Sequence, residues 1–214
     1  CRFPIHLRNP RGVAHRPVKD RRHVRFRDAA DAETAARRPV AVMLNNLKQA
    51  LPQLGQSQAD IIYEVVAEGG ITRMLGVYQS VEDVGMIGSI RSARPYYIEL
   101  ALGHDALFVH AGGSEQAYSD LRNWDVDHFD AVRGPYLGKS PESNMTWRDA
   151  DRRKENGYEH SVVATGASIL ANLPENLRLE HEEGYDAGLT FTDDGTPAGG
   201  SPASVVTVPF SNYK

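Results

Sequence analysis

Hydrophobic residues in the middle of the chain form short runs of the kind that build a buried sheet. Residues 40–44 are wholly apolar, and residues 106–109 repeat this pattern immediately before His110. Runs of this length are typical of strands that are covered on both faces. Residues 71–80 alternate instead, with Arg73 on the otherwise apolar face, and this alternation predicts a third strand.

Helices are predicted between these strands. Ser57 is placed to cap a helix across the apolar stripe of residues 61–66, and Ser92 to cap a second helix that ends at Gly103. A third helix is expected to open at Ser114. Because strands and helices alternate in this order, the sequence predicts an α/β fold in which a mixed, largely parallel sheet has flanking helices.

The second half of the chain gives a weaker pattern. Residues 123–146 hold several glycines and prolines and are predicted to form a loop. A short helix is expected to begin at Thr146, followed by a strand at residues 160–165 and a helix at residues 166–172. We therefore expect the globular pattern to continue to that point.

Charge divides the chain more sharply than hydropathy does. Residues 1–38 hold eleven basic and four acidic side chains, whereas the whole chain has a net charge of −4. We expect a basic arm without fixed structure at residues 1–37 and an α/β domain at residues 38–204. Residues 205–214 read as the start of a smaller, strand-rich C-terminal part that is truncated.

The arm has two interpretations. It is either a leader with no binding role or a segment that binds nucleic acid or anionic lipid through its arginines. It lacks the interleaved aromatic residues that stack on bases, so nucleic acid is not the partner we expect.

Composition excludes several classes of protein. The chain is 41% hydrophobic and 24% charged and has no run of about 18 apolar residues, so no membrane-spanning helix is predicted. Its single cysteine excludes an internal disulfide and a cysteine-based zinc site. Residues 134–140 resemble a phosphate-binding loop but have three residues between the glycines where four are needed. We therefore expect no cofactor and no metal ligand set.

That cysteine, Cys1, also has two interpretations. A chain that starts at cysteine is what remains after a lipoprotein signal peptide is cleaved and the cysteine is lipidated. It is equally what remains when a fragment begins there. Contact with a membrane is therefore expected only through a lipid on Cys1 or on a cysteine further upstream.

Two arginines flank the predicted start of the second helix. Arg91 and Arg94 lie where free backbone N–H groups already favour an anion, and they are spaced to clamp a phosphate or a carboxylate. In the alternative interpretation they pair with the protein's own acids, for which Asp60, Glu64 and Glu68 are candidates. Arg73 needs such a partner if it is buried, because an isolated buried charge costs several kcal/mol.

Polar residues at the ends of predicted strands supply the other candidates. Asn45 ends the first strand, and His110 is followed by Gly112, Gly113 and Ser114. Open α/β sheets bind ligands outside the carboxyl ends of their strands, and glycine lets the backbone approach a ligand closely. A histidine in this position is equally explained as a structural residue whose hydrogen bonds are satisfied.

A third group lies near the predicted helix at Thr146. Arg148 and Arg152 are four residues apart, so they would share a helix face and, with Asp149 and His160, complete a site for an anion or a glycan. The alternative is a set of surface salt bridges worth ~0–1 kcal/mol each.

Five segments of the chain together resemble the YerB-like lipoproteins, a bacterial family built on a domain of unknown function. The segments are residues 38–46, 58–64, 68–73, 87–96 and 110–114. The resemblance implies an extracytoplasmic, lipid-anchored protein and brings no established activity. Members of the family usually have a lipoprotein signal peptide and a polar tether at the front. They also continue into a smaller strand-rich part after the region that matches residues 205–213.

The leading hypothesis from the sequence is a non-catalytic, envelope-associated module that binds an anionic ligand, either a cell-wall glycan or a phosphate-bearing polymer. Arg91, Arg94 and residues 110–114 would form the site. The alternative is a hydrolase of wall polymers or phosphodiesters, in which Glu64 or His110 is the general base and the arginines stabilise developing charge.

Overall fold

The structure is a computed structural model that describes residues 32–186, 188, 205 and 207. The expected basic arm lies outside the described residues up to residue 31, and Ala32–Ala36 form the short helix α1. The expected C-terminal strand also lies outside them, apart from Val205 and Thr207.

Nine strands and five α-helices make up the described part of the chain. The strands are β1 (Val40–Asn45), β2 (Ile61–Val66), β3 (Thr72–Tyr78), β4 (Met86–Gly88), β5 (Leu107–His110), β6 (His128–Asp130), β7 (Leu137–Gly138), β8 (Thr146–Arg148) and β9 (Val162–Thr165). The helices after α1 are α2 (Pro95–Gly103), α3 (Glu115–Asn123), α4 (Ala150–Glu155) and α5 (Gly166–Ala171).

The strands form two sheets. The first has the order β2-β3-β1-β5-β6, and the second has the order β4-β9-β8-β7. In the first sheet β1 pairs with β5 and β5 with β6 in parallel, whereas β3 pairs antiparallel with both β1 and β2. The predicted α/β class with a mixed sheet and flanking helices is confirmed. Within the first sheet, parallel pairing is confined to the half that contains β5, and in the second sheet β7 pairs with β8 in parallel.

The first sheet is the middle layer of the fold, and β1 is buried along its whole length. Val42 and Leu44 pack in one apolar cluster with Val162 of the second sheet. Met43, on the opposite face, packs in a second cluster with Tyr97 of α2. This burial on both faces is what the wholly apolar run predicts, and the same holds for β5.

One predicted helix is wrong, because residues 61–66 form the edge strand β2. Their β-branched side chains pair in register with β3, from Ile61 opposite Val77 to Val66 opposite Thr72. Gly69, with φ of 67°, then makes the tight turn that joins the two strands, a conformation that glycine adopts without strain. Isoleucine and valine favour this pleated, half-buried setting over a helix.

Three further predictions of local structure are also wrong. Helix α2 begins at Pro95 with Arg94 as its N-cap, since the chain around Ser92 stays extended. The segment predicted as a loop contains β6 and β7. Thr146 opens strand β8, and the helix predicted there begins only at Ala150 with Asp149 as its cap. Strand pairing decides the last two cases, and the strands β6, β7 and β8 are only two or three residues long.

The extended segment before α2 fixes the shape of the sheet edge. Arg91 donates its amide to the carbonyl of Met43 at the end of β1, and its own carbonyl accepts from Ala111 just after β5. Ala93 then donates to Gly112. The segment therefore lies between the carboxyl ends of two parallel strands, where open α/β sheets place ligands.

Among the described residues no helix combines the length and the apolar character needed to cross a bilayer.

Helix α5 packs so closely against the loop before β4 that its first residue has to be glycine. A Cβ on Gly166 would lie 1.6 Å from the carbonyl oxygen of Val81. We therefore expect Gly166→Ala to lower the free energy of unfolding by about 3 kcal/mol or more, because backbone has to move. Urea denaturation measures this loss.

Gly85→Ala is the matched control, since a Cβ there has no atom within 4 Å. It is expected to change stability by less than about 0.5 kcal/mol. Equal stability of the two variants would contradict the close packing of α5.

Candidate functional site

A cleft of about 240 Å³ opens at the carboxyl edge of the first sheet. Its polar lining includes Arg91, Ser92, Gly112, Gly113, Arg133 and Arg148. The structure thus brings together four candidates that the sequence had placed in three separate motifs. Ser92 and Arg133 were not among those candidates.

Arg91 enters the cleft from the extended segment before α2. Its Nη2 donates to Oε2 of Glu159 at 2.9 Å. The Glu159 side chain is 69% exposed, so this pair is screened by water and contributes little to stability. Arg91 therefore has a carboxylate partner that is held only weakly.

Arg148 faces the same cleft from β8. Its guanidinium lies 3.6 Å from the ring centroid of Tyr158, and its Nη1 donates to the Tyr158 carbonyl at 2.7 Å. Its Nε is buried and has no hydrogen-bond partner among the described residues. A buried donor of this kind costs free energy unless an acceptor reaches it.

Asp130, at the end of β6, holds the wall of the cleft. It is 2% exposed, and its Oδ1 accepts the amides of Gly112 and Val132, each at 2.8 Å. Its Oδ2 accepts the Tyr118 hydroxyl at 2.8 Å and the Arg133 amide at 3.1 Å. Four donors from three parts of the chain therefore meet at one carboxylate.

The ionised form of Asp130 is favoured by this environment. Burial alone would raise the pKa of its carboxyl, but His110 and the hydrogen bonds from Gly112, Val132 and Tyr118 lower the pKa below the ordinary value of 3.8. The opposite holds for Tyr118, where burial and then the bond to Asp130 raise the pKa of the hydroxyl. Tyr118 therefore remains a donor at neutral pH.

Backbone donors complete the cleft. Among the described residues, the amides of Ser92 and Gly113 have no hydrogen-bond acceptor, and both residues line the cavity. Gly112 has φ of 81°, which turns the chain just after β5 and which a residue with a side chain would adopt only with strain. These two amides are therefore hydrogen-bond donors that the described part of the protein does not use.

His110 lies behind the turn formed by Gly112 and Gly113, called the glycine turn below, and does not reach the cleft. It is 0% exposed, with Nδ1 at 2.8 Å from the Gly112 carbonyl and Nε2 at 3.0 Å from Nδ1 of His128. Burial lowers the pKa of His110 to about 4. The ring is thus neutral and engaged at both nitrogens, which fits the structural interpretation of this histidine and not a general base.

Arg73 and Arg94 follow the other interpretation that the sequence left open, the internal ion-pair network. Arg94 pairs with Glu68 through Nε and through Nη2 at 3.0 Å. Arg73 is buried, donates to the Ser92 carbonyl at 2.8 Å and lies 3.8 Å from Glu68. Burial and then the charge of Arg94 lower the pKa of Arg73. Neither arginine lines the cleft.

Four more sequence candidates have structural partners outside the cleft. The carboxylate of Glu64 accepts from Asn46 and Thr72. Arg152 is buried and donates to the carbonyls of residues 50 and 52, at 2.5 and 2.9 Å. The Asn45 amide lies 2.8 Å from a ring nitrogen of His160, and Ser114 caps α3 as predicted.

Sequence reasoning missed several residues of the site. Asp130 belongs to an acidic run that reads as a solvated loop, and only the pairing of β6 with β5 shows that it is buried. Arg133, Tyr158 and Glu159 carry no local signal of function. Arg91 and Glu159 are 68 positions apart, so their contact depends on the complete fold.

Comparison with known proteins identifies the family. The family described as "Protein of unknown function (DUF3048) N-terminal domain" matches residues 27–178. The chain belongs to this family. It is 38% identical over 169 residues to "Putative lipoprotein YerB" of Bacillus subtilis (strain 168), an alignment that covers 78% of this chain and 47% of the relative. The resemblance seen in the sequence is confirmed.

A solved structure supports the same relationship. The crystal structure of YerB protein from Bacillus subtilis matches with a TM-score of 0.56 and 34% identity, covering 65% of this chain and 44% of that chain. The chain therefore spans about half the length of the relatives that it matches. Neither relative's description names a ligand or a reaction.

Replacing Asp130 tests how the cleft wall is held. Asp130→Asn turns an NH₂ group toward N–H and O–H donors, so we expect a loss of about 2 kcal/mol or more in the free energy of unfolding at pH 7. The folded pKa of Asp130 is lowered, so its stabilising effect is present above 3.8 and is lost as pH falls through the folded value. Urea denaturation at pH 7 and pH 3 measures both effects.

Asp125→Asn serves as the control, because Asp125 is exposed in the same acidic run and has φ of 51°, which asparagine also adopts. An Asp130→Asn protein as stable as this control at pH 7 would contradict the role given to Asp130.

Proposed function

We propose that the protein is an extracytoplasmic, envelope-associated module that binds an anionic ligand without catalysis, the ligand being a cell-wall glycan or a phosphate-bearing polymer. The observation that carries this proposal is the pair of guanidinium groups, Arg91 and Arg148, in one cleft with the unused backbone amides of Ser92 and Gly113 beside them. Guanidinium and amide donors together are the groups that recognise carboxylate and phosphate.

The charge of the cleft supports an anion as the ligand. Three arginines line it, namely Arg91, Arg133 and Arg148, whereas Glu159 is the one acid among its lining residues. The chain as a whole has a net charge of −4, so this concentration of positive charge is local. A concave site lined by one sign of charge raises the local concentration of the opposite ion.

Non-catalytic binding is supported by the state of the two residues considered as general bases. His110 is enclosed behind the glycine turn, and Glu64 is bonded to Asn46 and Thr72 on the far side of the sheet's β1 strand. Neither of the two residues considered as general bases for the hydrolase alternative therefore lines the cleft.

The proposed location rests on the relative. Its printed description as a lipoprotein supports an envelope association for this chain, with membrane contact only through a lipid on Cys1 or on an upstream cysteine. The arginines that line the cleft are separate from the basic segment at residues 1–38, so the proposal does not depend on that segment.

Calorimetric titration tests the site with two probes, a disaccharide of glucuronate and N-acetylglucosamine and a trimer of glycerol phosphate. Arg91→Ala and Arg148→Ala should each lower the affinity for the bound probe by about 10-fold or more, because each removes a charged hydrogen bond. Glu159→Gln should raise it, because it removes the carboxylate that competes for Arg91.

Arg37→Ala is the matched control. Arg37 is an exposed arginine just before β1, at the opposite end of the sheet, where it pairs with Glu33 and Glu82. Its loss changes net charge equally and should leave affinity within about 2-fold. Equal effects of the three arginine variants, or no binding of either probe, would overturn the proposal.

A further inference from the structure

A second cleft lies next to the first. It has a volume of about 380 Å³, and Tyr118 and Arg133 line both clefts. Its other walls include Leu121, His128 and Tyr136. The two cavities therefore share one partition, made of two side chains.

This partition is held weakly on its solvent side. The Arg133 guanidinium lies 3.8 Å from the ring centroid of Tyr118 and pairs with Glu115 at 2.6 Å. The two charged side chains are 53% and 84% exposed, and ion pairs so exposed have little effect on stability. The backbone of Arg133 is held by Asp130, so its side chain can turn aside while the wall of the first cleft stays in place.

The sizes of the clefts favour a ligand that occupies both. Binding sites for small molecules usually measure ~300–1,000 Å³. The first cleft, at about 240 Å³, is smaller than this, whereas the second, at about 380 Å³, falls within it. A ligand bound by the arginines thus has space to continue past Arg133.

Hydrogen bonding determines which ring nitrogen of His128 is an acceptor in the second cleft. The Gly112 carbonyl can only accept, so Nδ1 of His110 carries the proton and Nε2 of that ring must accept from Nδ1 of His128. Neutral His128 then has an unprotonated Nε2, which has no partner in the part of the chain that the structure describes. Burial lowers the pKa of His128, which keeps the ring neutral at pH 7.

The two clefts therefore differ in chemistry. The first offers positive charge and N–H donors. The second offers the acceptor on His128 beside aromatic and apolar side chains, and its charged lining residues are Arg122, Asp130 and Arg133. Of these, Asp130 is occupied by four donors and Arg133 pairs with Glu115. A ring such as Tyr136 packs against the apolar face of a sugar, and Nε2 of His128 accepts from a hydroxyl or from an acetamido N–H. A neutral sugar next to an acid-bearing sugar meets both requirements.

We infer that the two clefts form a single groove for an acidic oligosaccharide, with the acid-bearing sugar in the first cleft and the neighbouring neutral sugar in the second. This inference rests on the proposed function and deepens it by naming the class of ligand. The smallest ligand that fills the groove is then a disaccharide.

Calorimetric titration of the whole chain with glucuronate, and with the disaccharide of glucuronate and N-acetylglucosamine, tests the groove. The disaccharide is expected to bind at least 10-fold more tightly than glucuronate. His128→Phe should remove this gain while leaving the affinity for glucuronate unchanged, because it removes the acceptor but keeps a ring.

Pro135→Trp is the second variant, since Pro135 is exposed and lines only the second cleft, where a bulky side chain blocks the neutral sugar without disturbing the core. It too should remove the gain, so the test does not depend on the folding of the His128 variant. Equal affinities of the wild type for glucuronate and the disaccharide, or a gain that survives Pro135→Trp, would overturn the groove and leave anion binding intact. No binding of either sugar would overturn the groove, and failure of glycerol phosphate as well would overturn the proposed function.

Discussion

The site depends on one buried carboxylate. Asp130 accepts hydrogen bonds from the amides of Gly112, Val132 and Arg133 and from the hydroxyl of Tyr118. These bonds join the turn after β5, the loop after β6 and helix α3. Removing a carboxylate from water costs several kcal/mol unless hydrogen bonds replace its hydration. Four donors meet that need, and in doing so they fix the walls of both clefts.

Arginine has two separate roles at this edge of the sheet. Arg73 and Arg94 share the carboxylate of Glu68, and Arg152 binds backbone carbonyls around residue 50, so these three side chains support the fold. Arg91 and Arg148 line the cleft, where the carboxylate partner of Arg91 is exposed and the Arg148 guanidinium lies over the ring of Tyr158. The distinction lies in the partners, since all five residues are the same amino acid.

Much of the fold follows from local sequence. The runs that form β1 and β5 are apolar on both faces, and Ser114 lies directly before a helix, so these elements are determined by short segments. Residues 61–66 show the limit, because their apolar positions fit a helix face as well as a strand. Only pairing with β3 decides between the two, and that pairing depends on the turn at Gly69.

The candidate site was harder to predict for a related reason. Its residues meet through contacts between distant parts of the chain, such as Arg91 with Glu159 and Asp130 with Gly112. Strand β6 has three residues, which is too short for a period to be recognised, and the importance of Asp130 depends on that strand. The glycine turn could be predicted from the sequence, because glycines directly after a strand indicate the place where open α/β sheets bind ligands.

Recognition of an acid group by the first cleft is tested most directly by NMR, with a titration of the ¹⁵N-labelled chain by the glucuronate disaccharide. The largest shifts are expected at the backbone amides of Ser92 and Gly113, because both residues line the cleft and these donors have no partner among the described residues. Unchanged resonances at these two amides, with shifts confined to residues elsewhere, would contradict the account.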